Sequence, residues 1–151
     1  MPKLAPGDKA PRFTLPDQDG APFSSDALTA TQAVVYFYPA DDTPGCTKEA
    51  CQFNDNLRQF QRAGVPVIGI SPDAPESHVR FRDKYGLEFP LLSDPTHQTM
   101  AAYGAWGERP GRADGVIRST VLLAPGGTVE RTWYGVKADG HAAEVLEALT
   151  G

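Results

Sequence analysis

Residues 34–71 read VVYFYPADDTPGCTKEACQFNDNLRQFQRAGVPVIGIS, and the succession of patterns in them decides the architecture. Val34 to Tyr38 is an unbroken apolar and aromatic run ended by Pro39, the pattern of a central strand covered on both faces. From about Cys46 to Arg62, Ala50, Phe53, Leu57 and Phe60 recur at three- and four-residue spacing. They form one stripe of an amphipathic helix, stopped by Gly64 and Pro66. Val67-Ile68-Gly69-Ile70 is a second buried strand. Two such strands joined through a helix lie parallel, with a right-handed crossover.

Upstream, Phe13-Thr14-Leu15 and Ala21-Pro22-Phe23 flank Asp17-Gln18-Asp19-Gly20, which predicts a short hairpin on the edge of the fold. Downstream, Pro75 to Tyr85 reads as a helix with Pro75 in its first turn and Gly86 at its C-terminal end. Phe89 to Leu92 reads as a short extended segment, and Thr96 to Tyr103 as a short helix. Ile117 to Ala124 and Val129 to Tyr134 are strands joined by Pro125-Gly126-Gly127, and Ala142 to Leu149 is the last helix. This is the element order of an α/β thioredoxin-like sandwich: a mixed central β-sheet flanked by helices, with an N-terminal β-hairpin. No repeat, low-complexity tract or linker divides the chain, so residues 1–151 are read as a single domain.

The 151 residues carry 19 acidic against 14 basic side chains, a net charge of -5, which argues against a chain-wide attraction for nucleic acid. The longest apolar stretches are too short to span a bilayer. The opening Met-Pro-Lys-Leu-Ala-Pro-Gly-Asp lacks the apolar core of a signal peptide, so a soluble, cytoplasmic protein is expected. The chain has 2 cysteines, too few for a disulfide framework.

The segment from Pro39 to Thr47, with Cys46 in it, runs from the end of the predicted strand into the start of the helix, the usual place for sites in open α/β sheets. A cysteine in a helix's first turn faces unpaired backbone N–H groups and the positive end of the helix dipole, which favour a thiolate, so Cys46 is a candidate nucleophile. The plainer reading is a small buried hydrophobe, since Cys46 also lies on the apolar stripe. Pro44 and Gly45 suit a tight turn around the sulfur. Five residues of helix separate the Cα atoms of Cys46 and Cys51 by about 8.7 Å. A disulfide needs less than about 7 Å, so the two cannot bond while the helix is intact. Otherwise Cys51 packs on the helix flank or rests on the surface.

Tyr36-Phe37-Tyr38-Pro39, Asp41, Thr43-Pro44-Gly45-Cys46-Thr47 and Glu49-Ala50-Cys51 together resemble the peroxiredoxins of the bacterioferritin comigratory protein, or peroxiredoxin Q, type. The likeness continues through Gly7-Asp8-Lys9-Ala10-Pro11, Gly69-Ile70-Ser71, Lys84-Tyr85-Gly86, Ala102 to Gly107 and Ile117-Arg118-Ser119-Thr120, nearly the whole chain. The resemblance implies thiol-dependent reduction of hydrogen peroxide and organic hydroperoxides, without cofactor or metal. In it Cys46 matches the peroxidatic cysteine, oxidised to sulfenic acid, and Cys51 the resolving cysteine that forms an intramolecular disulfide with it. Thioredoxin or a similar dithiol reductant would restore the dithiol, and a monomer is implied.

Beside that match, the hydroxyl of Thr43 suits hydrogen bonding to sulfur and peroxide, although ordinary helix capping is its common role. Arg118 would stabilise the thiolate and the developing oxyanion; without the resemblance it reads as a surface arginine at a strand end. Pro39 shapes and shields the pocket or simply ends the strand. Glu49 orients an arginine or is a solvated helix carboxylate. His78, His97 and His141 show no zinc spacing and are read as surface residues, Trp106 and Trp133 as packing or pocket-edge residues, and Arg80-Arg82-Lys84 as a solvated helix face.

The chain departs from the family pattern in the Gly-, Pro- and Arg-rich segment 107–116, and in Val121 where Phe is frequent. The competing functions are a general thiol–disulfide oxidoreductase, which the lack of Cys-x-x-Cys disfavours, and a peroxide sensor or redox-controlled holdase.

Overall fold

The computed structural model of the protein describes residues 3–149. The apolar run becomes β3 (Ala33–Phe37), the middle strand of a five-stranded sheet, and all five of its residues are buried. The predicted N-terminal hairpin precedes it as β1 (Thr14–Pro16) and β2 (Pro22–Ser24), paired antiparallel. A single turn of 3-10 helix at Ser25–Leu28 follows.

After β3 the chain forms α1 (Pro44–Asp55), α2 (Leu57–Arg62), β4 (Val67–Ser71), α3 (Pro75–Tyr85), β5 (Leu91–Ser93) and α4 (Gln98–Ala102). Then come β6 (Trp106–Arg109), β7 (Arg112–Val116), β8 (Ser119–Leu123), β9 (Val129–Tyr134) and α5 (His141–Leu149). The sheet order is β5-β4-β3-β8-β9. β3, β4 and β5 run parallel, while β8 and β9 are antiparallel neighbours, so the sheet is mixed as the sequence predicts.

The two-residue period of β3 divides the core. Val34, Tyr36 and Tyr38 face Phe53, Phe60, Phe81 and Val145 from the helices on one side. Val35 and Phe37 face Leu28, Met100 and Tyr103 on the other. The stripe of α1 is seated on β3 by a stacked ring pair, Phe53 on Tyr36 with centroids 4.6 Å apart, an arrangement worth about 1 kcal/mol beyond its buried area.

Three expectations need correction, and one segment that carried no structural expectation takes on a definite form. The helix read as continuous from Cys46 to Arg62 begins at Pro44 and breaks at Asn56. There the side-chain amide donates to the Gln52 carbonyl at 2.8 Å, competing with the backbone ladder, yet the stripe survives because Phe53, Leu57 and Phe60 are all buried. The helix read over 96–103 shrinks to Gln98–Ala102, since His97 takes a left-handed φ of 64°. The segment 107–116 belongs to the β6–β7 hairpin, closed by Pro110-Gly111 with Gly111 at φ 69°. Finally, His78 and His141 are buried rather than on the surface: His78 lies between α3 and the strands, and His141 hydrogen-bonds Thr120 at 2.7 Å. Burial holds the His141 ring below its ordinary value.

Candidate active site

The turn from β3 into α1 places Pro44 at the first helical position and Cys46 within the first turn, where the sulfur is sheltered and Cys46 is only 2% exposed. Arg118, just before β8, the strand next to β3, reaches across it. Its Nη2 donates to the Cys46 Sγ at 3.4 Å, and its Nη1 donates to Glu49 Oε1 at 2.7 Å. β3 and β8 are hydrogen-bonded neighbours, so the sheet itself brings residues 72 positions apart to one point.

Glu49 sits one turn along α1 from Cys46, with no exposed side-chain surface, and its second oxygen has no hydrogen-bond partner. Burial pushes its carboxyl up from 4.5 to about 7, against the pull of Arg118. Burial also works against the charge of Arg118, but Glu49 and the Cys46 sulfur together hold the guanidinium above its ordinary value. The arginine therefore keeps its proton, and the carboxyl is the member of the pair that titrates. Of the two readings left open for Glu49, the solvated helix carboxylate is excluded by its burial.

Gly45 makes the close approach possible: a Cβ there would stand 3.1 Å from Arg118 Nη2 and 3.9 Å from the Ala138 methyl. Thr43 occupies the N-cap position with extended backbone, but its hydroxyl makes no capping bond. It donates instead to the Ala40 carbonyl at 3.0 Å, which leaves the oxygen's lone pairs free to accept a proton-bearing group. Pro39, half-buried, lies on the wall of an open depression of about 430 Å³ that Arg118 also lines, together with Ile117, Val136, Tyr134 and the hairpin residues Arg109 and Arg112.

Cys51 is half-buried in the same unbroken helix, and both cysteines are free thiols. Burial, and after it the nearby Asp55, pushes the Cys51 thiol up, so it stays protonated while the helix is intact. Cys46, Glu49, Arg118 and Gly45 thus converge, Thr43 and Pro39 border them, and Cys51 stands apart. Among the described residues no His, Cys, Asp and Glu side chains cluster closely enough to hold a metal ion, and no helix is long and apolar enough to cross a membrane.

Sequence reasoning overlooked Asp41 and His78. Their signal was faint: one carboxylate in a polar loop and one histidine on the apolar side of α3. It also missed the rim arginines Arg109 and Arg112, which a Pro-Gly pair between two arginines would have located on a hairpin.

A mixed sheet that delivers one sheltered thiol, rather than a Cys-x-x-Cys pair, to a helix start beside an arginine is the arrangement of thiol peroxidases on a thioredoxin-like fold. Residues 6–132 match the AhpC/TSA family, and the chain belongs to that family. A putative peroxiredoxin of Mycobacterium tuberculosis is 51% identical over 151 residues, covering 98% of this chain and 96% of the relative. Peroxiredoxin Bcp of Escherichia coli K12 is 42% identical, covering 99% and 97%. Among solved structures, a variant of Xylella fastidiosa PrxQ superposes with a TM-score of 0.94 at 33% identity over 99% of this chain and 98% of that one. The bacterioferritin comigratory protein of Xanthomonas campestris gives 0.87 at 39% identity, covering 91% and 90%. The protein is a thiol-dependent peroxidase, with peroxide as its substrate class and a thiol as its reductant.

Proposed function

We propose that Cys46 is the peroxidatic cysteine of a two-cysteine cycle completed by Cys51. The observation that carries this is the sheltered Cys46 sulfur facing the Arg118 guanidinium at 3.4 Å, with the only other cysteine of the chain in the same helix. The sulfur attacks one peroxide oxygen, the O–O bond breaks, and the departing oxygen takes a proton and leaves as water or alcohol. Sulfur retains the other oxygen as sulfenic acid. Arg118 and the Thr43 hydroxyl support the negative charge as it passes from sulfur to oxygen, while Pro39, Pro44 and Gly45 shape the approach and Glu49 orients the arginine. The Cys51 thiol then attacks the sulfenic sulfur, water leaves, and a disulfide forms after the first turns of α1 unwind.

Hydrogen peroxide and organic hydroperoxides are the proposed substrates; the alkyl peroxide reduction activity studied in the Xanthomonas campestris protein supports the second group. Thioredoxin or a similar dithiol closes the cycle, in a cytoplasmic, monomeric protein that acts as one domain in antioxidant defence and needs no cofactor. Purified protein with thioredoxin, thioredoxin reductase and NADPH should consume peroxide, and normal turnover by Cys46→Ser would overturn the assignment.

A further inference from the structure

The loop between β3 and α1 is gripped from outside by α3, through side chains that do not touch the reacting sulfur. Asp41, whose side chain is 4% exposed, is the centre of the grip. Its Oδ1 accepts from the Tyr38 hydroxyl at 2.6 Å, and its Oδ2 accepts from the Ser77 hydroxyl at 2.8 Å and faces His78 Nδ1 at 2.7 Å. His78 has no exposed side-chain surface, and its Nε2 meets the Leu92 carbonyl at 3.0 Å. Each ring nitrogen thus has an oxygen within hydrogen-bonding distance. The Asp41 backbone N–H donates to Asp73 Oδ2 at 2.8 Å. The next residue, Asp42, takes a left-handed φ of 57°, and its carboxylate is held by Lys84 at 2.8 Å and Tyr85 at 2.7 Å from the far end of α3.

We propose that Asp41 and His78 are positioning residues for the peroxidase reaction, clamping the loop so that the Thr43 hydroxyl is aimed at the peroxide. The proposal rests on the reading of Cys46 as the peroxide-reacting thiol. Asp41 adjoins Ala40, whose carbonyl is the acceptor that orients the Thr43 hydroxyl, and the Thr43 carbonyl accepts the Thr47 N–H that opens α1. Fixing Asp41 from three donors and a backbone bond therefore fixes the hydroxyl two residues on. A carboxylate and an imidazole this deeply buried each depend on the other, since losing one strands its partner without solvent. Such a pair admits one loop conformation, and it also keeps Asp42 in a backbone region costly for a side chain other than glycine. Nothing in the grip belongs to α1, so the clamp remains in place when that helix opens.

The test compares two reactions of one sulfur in the reduced protein: its oxidation by a hydroperoxide, followed by stopped-flow, and its alkylation by iodoacetamide. Peroxide cleavage needs the aligned hydroxyl, whereas alkylation needs only the sulfur. In Asp41→Asn and His78→Gln the peroxide rate constant is expected to fall about ten- to a hundredfold, the range for misplacement of a reacting geometry. Alkylation should stay within about twofold, because the arginine beside the sulfur is untouched. In His78→Gly, added imidazole should recover part of the peroxide rate. If Asp41→Asn fails to fold, Ser77→Ala removes a single donor and should show the same one-sided loss in smaller measure. Tyr103→Phe, which loses a buried hydrogen bond to Pro11 remote from the loop, is expected to melt lower with an unchanged peroxide rate. A wild-type peroxide rate in the folded clamp variants, or parallel loss of both rates, overturns the clamp. Wild-type protein that alkylates at Cys46 but ignores peroxide overturns the functional assignment, and the clamp with it.

Discussion

Replacing Glu49 by Gln should remove a pH dependence of folding that this one carboxyl imposes. Glu49 is wholly buried, with one oxygen on Arg118 and the other without a partner, and burial raises it from 4.5 to about 7. The folded protein therefore holds this proton more tightly than the unfolded chain does. The stabilisation is full below 4.5 and is lost as pH rises through about 7. At 1.36 kcal/mol per pH unit, that span amounts to about 3 kcal/mol. Gln matches the neutral acid in shape and keeps an oxygen for Arg118, but it does not titrate. Urea unfolding of reduced wild type and Glu49→Gln, at intervals from about pH 5 to about pH 8, measures the difference directly and cancels the titration of all other groups. The variant should gain on the wild type by about 2 to 3 kcal/mol over that range. A stability gap that is flat with pH would show that Glu49 does not titrate there, and would refute the argument that burial outweighs Arg118.

Arg118→Met should lower the peroxide rate constant about a hundred- to a thousandfold in stopped-flow, by removing the cation at the sulfur, and should destabilise the protein by leaving Glu49 buried alone. Adding Glu49→Gln to it should restore stability on urea unfolding but not the rate. After one equivalent of peroxide, mass spectrometry should find wild type lighter by two hydrogens and Cys51→Ser heavier by one oxygen; hydrogen exchange should show α1 protected through Cys51 only in the reduced protein. Gln52, next to Cys51, ties α1 to the loop before α5 by bonds to Asp139 and the Gly140 N–H, both 2.8 Å, so Gln52→Ala should speed disulfide formation about fivefold, as measured by quenched-flow alkylation, if it releases about 1 kcal/mol. The buried Tyr36 hydroxyl has no partner, and Tyr36→Phe should leave the melting temperature unchanged or raise it.

Periodicity made the central elements legible because burial writes itself into spacing: the run at 34–38, the stripe through Phe53 and Phe60, and the run at 67–70 each have one way to hide apolar surface. The placement of Cys46 was legible to the same depth, since it follows Pro44 and Gly45 at a predicted strand-to-helix turn. The break at Asn56 was not, because one side-chain amide reaching back to Gln52 leaves the apolar stripe in phase. The β6–β7 hairpin was hidden for the opposite reason. Its strands run from exposed through half-buried to buried in blocks, with a glycine in each, so no alternation marks them. His78 and His141 were misplaced because a histidine's burial depends on acceptors brought from elsewhere, here Asp41, Leu92 and Thr120.

The sequence by itself determined the order of the strands in the central sheet and the main helices between them, the turn that presents Cys46, and the five-residue separation that keeps Cys51 out of reach on an intact helix. These are local matters, settled by backbone geometry over a few residues. Only the tertiary structure decided what surrounds the sulfur. The pairing of β3 with β8 brings Arg118 to Cys46 across 72 positions, and Glu49 is buried against the same arginine. The packing of α3 against the loop decides how Asp41 is held. Charge, solvation and hydrogen bonding act through distance in space, so their balance at the site arises only once the sheet has assembled.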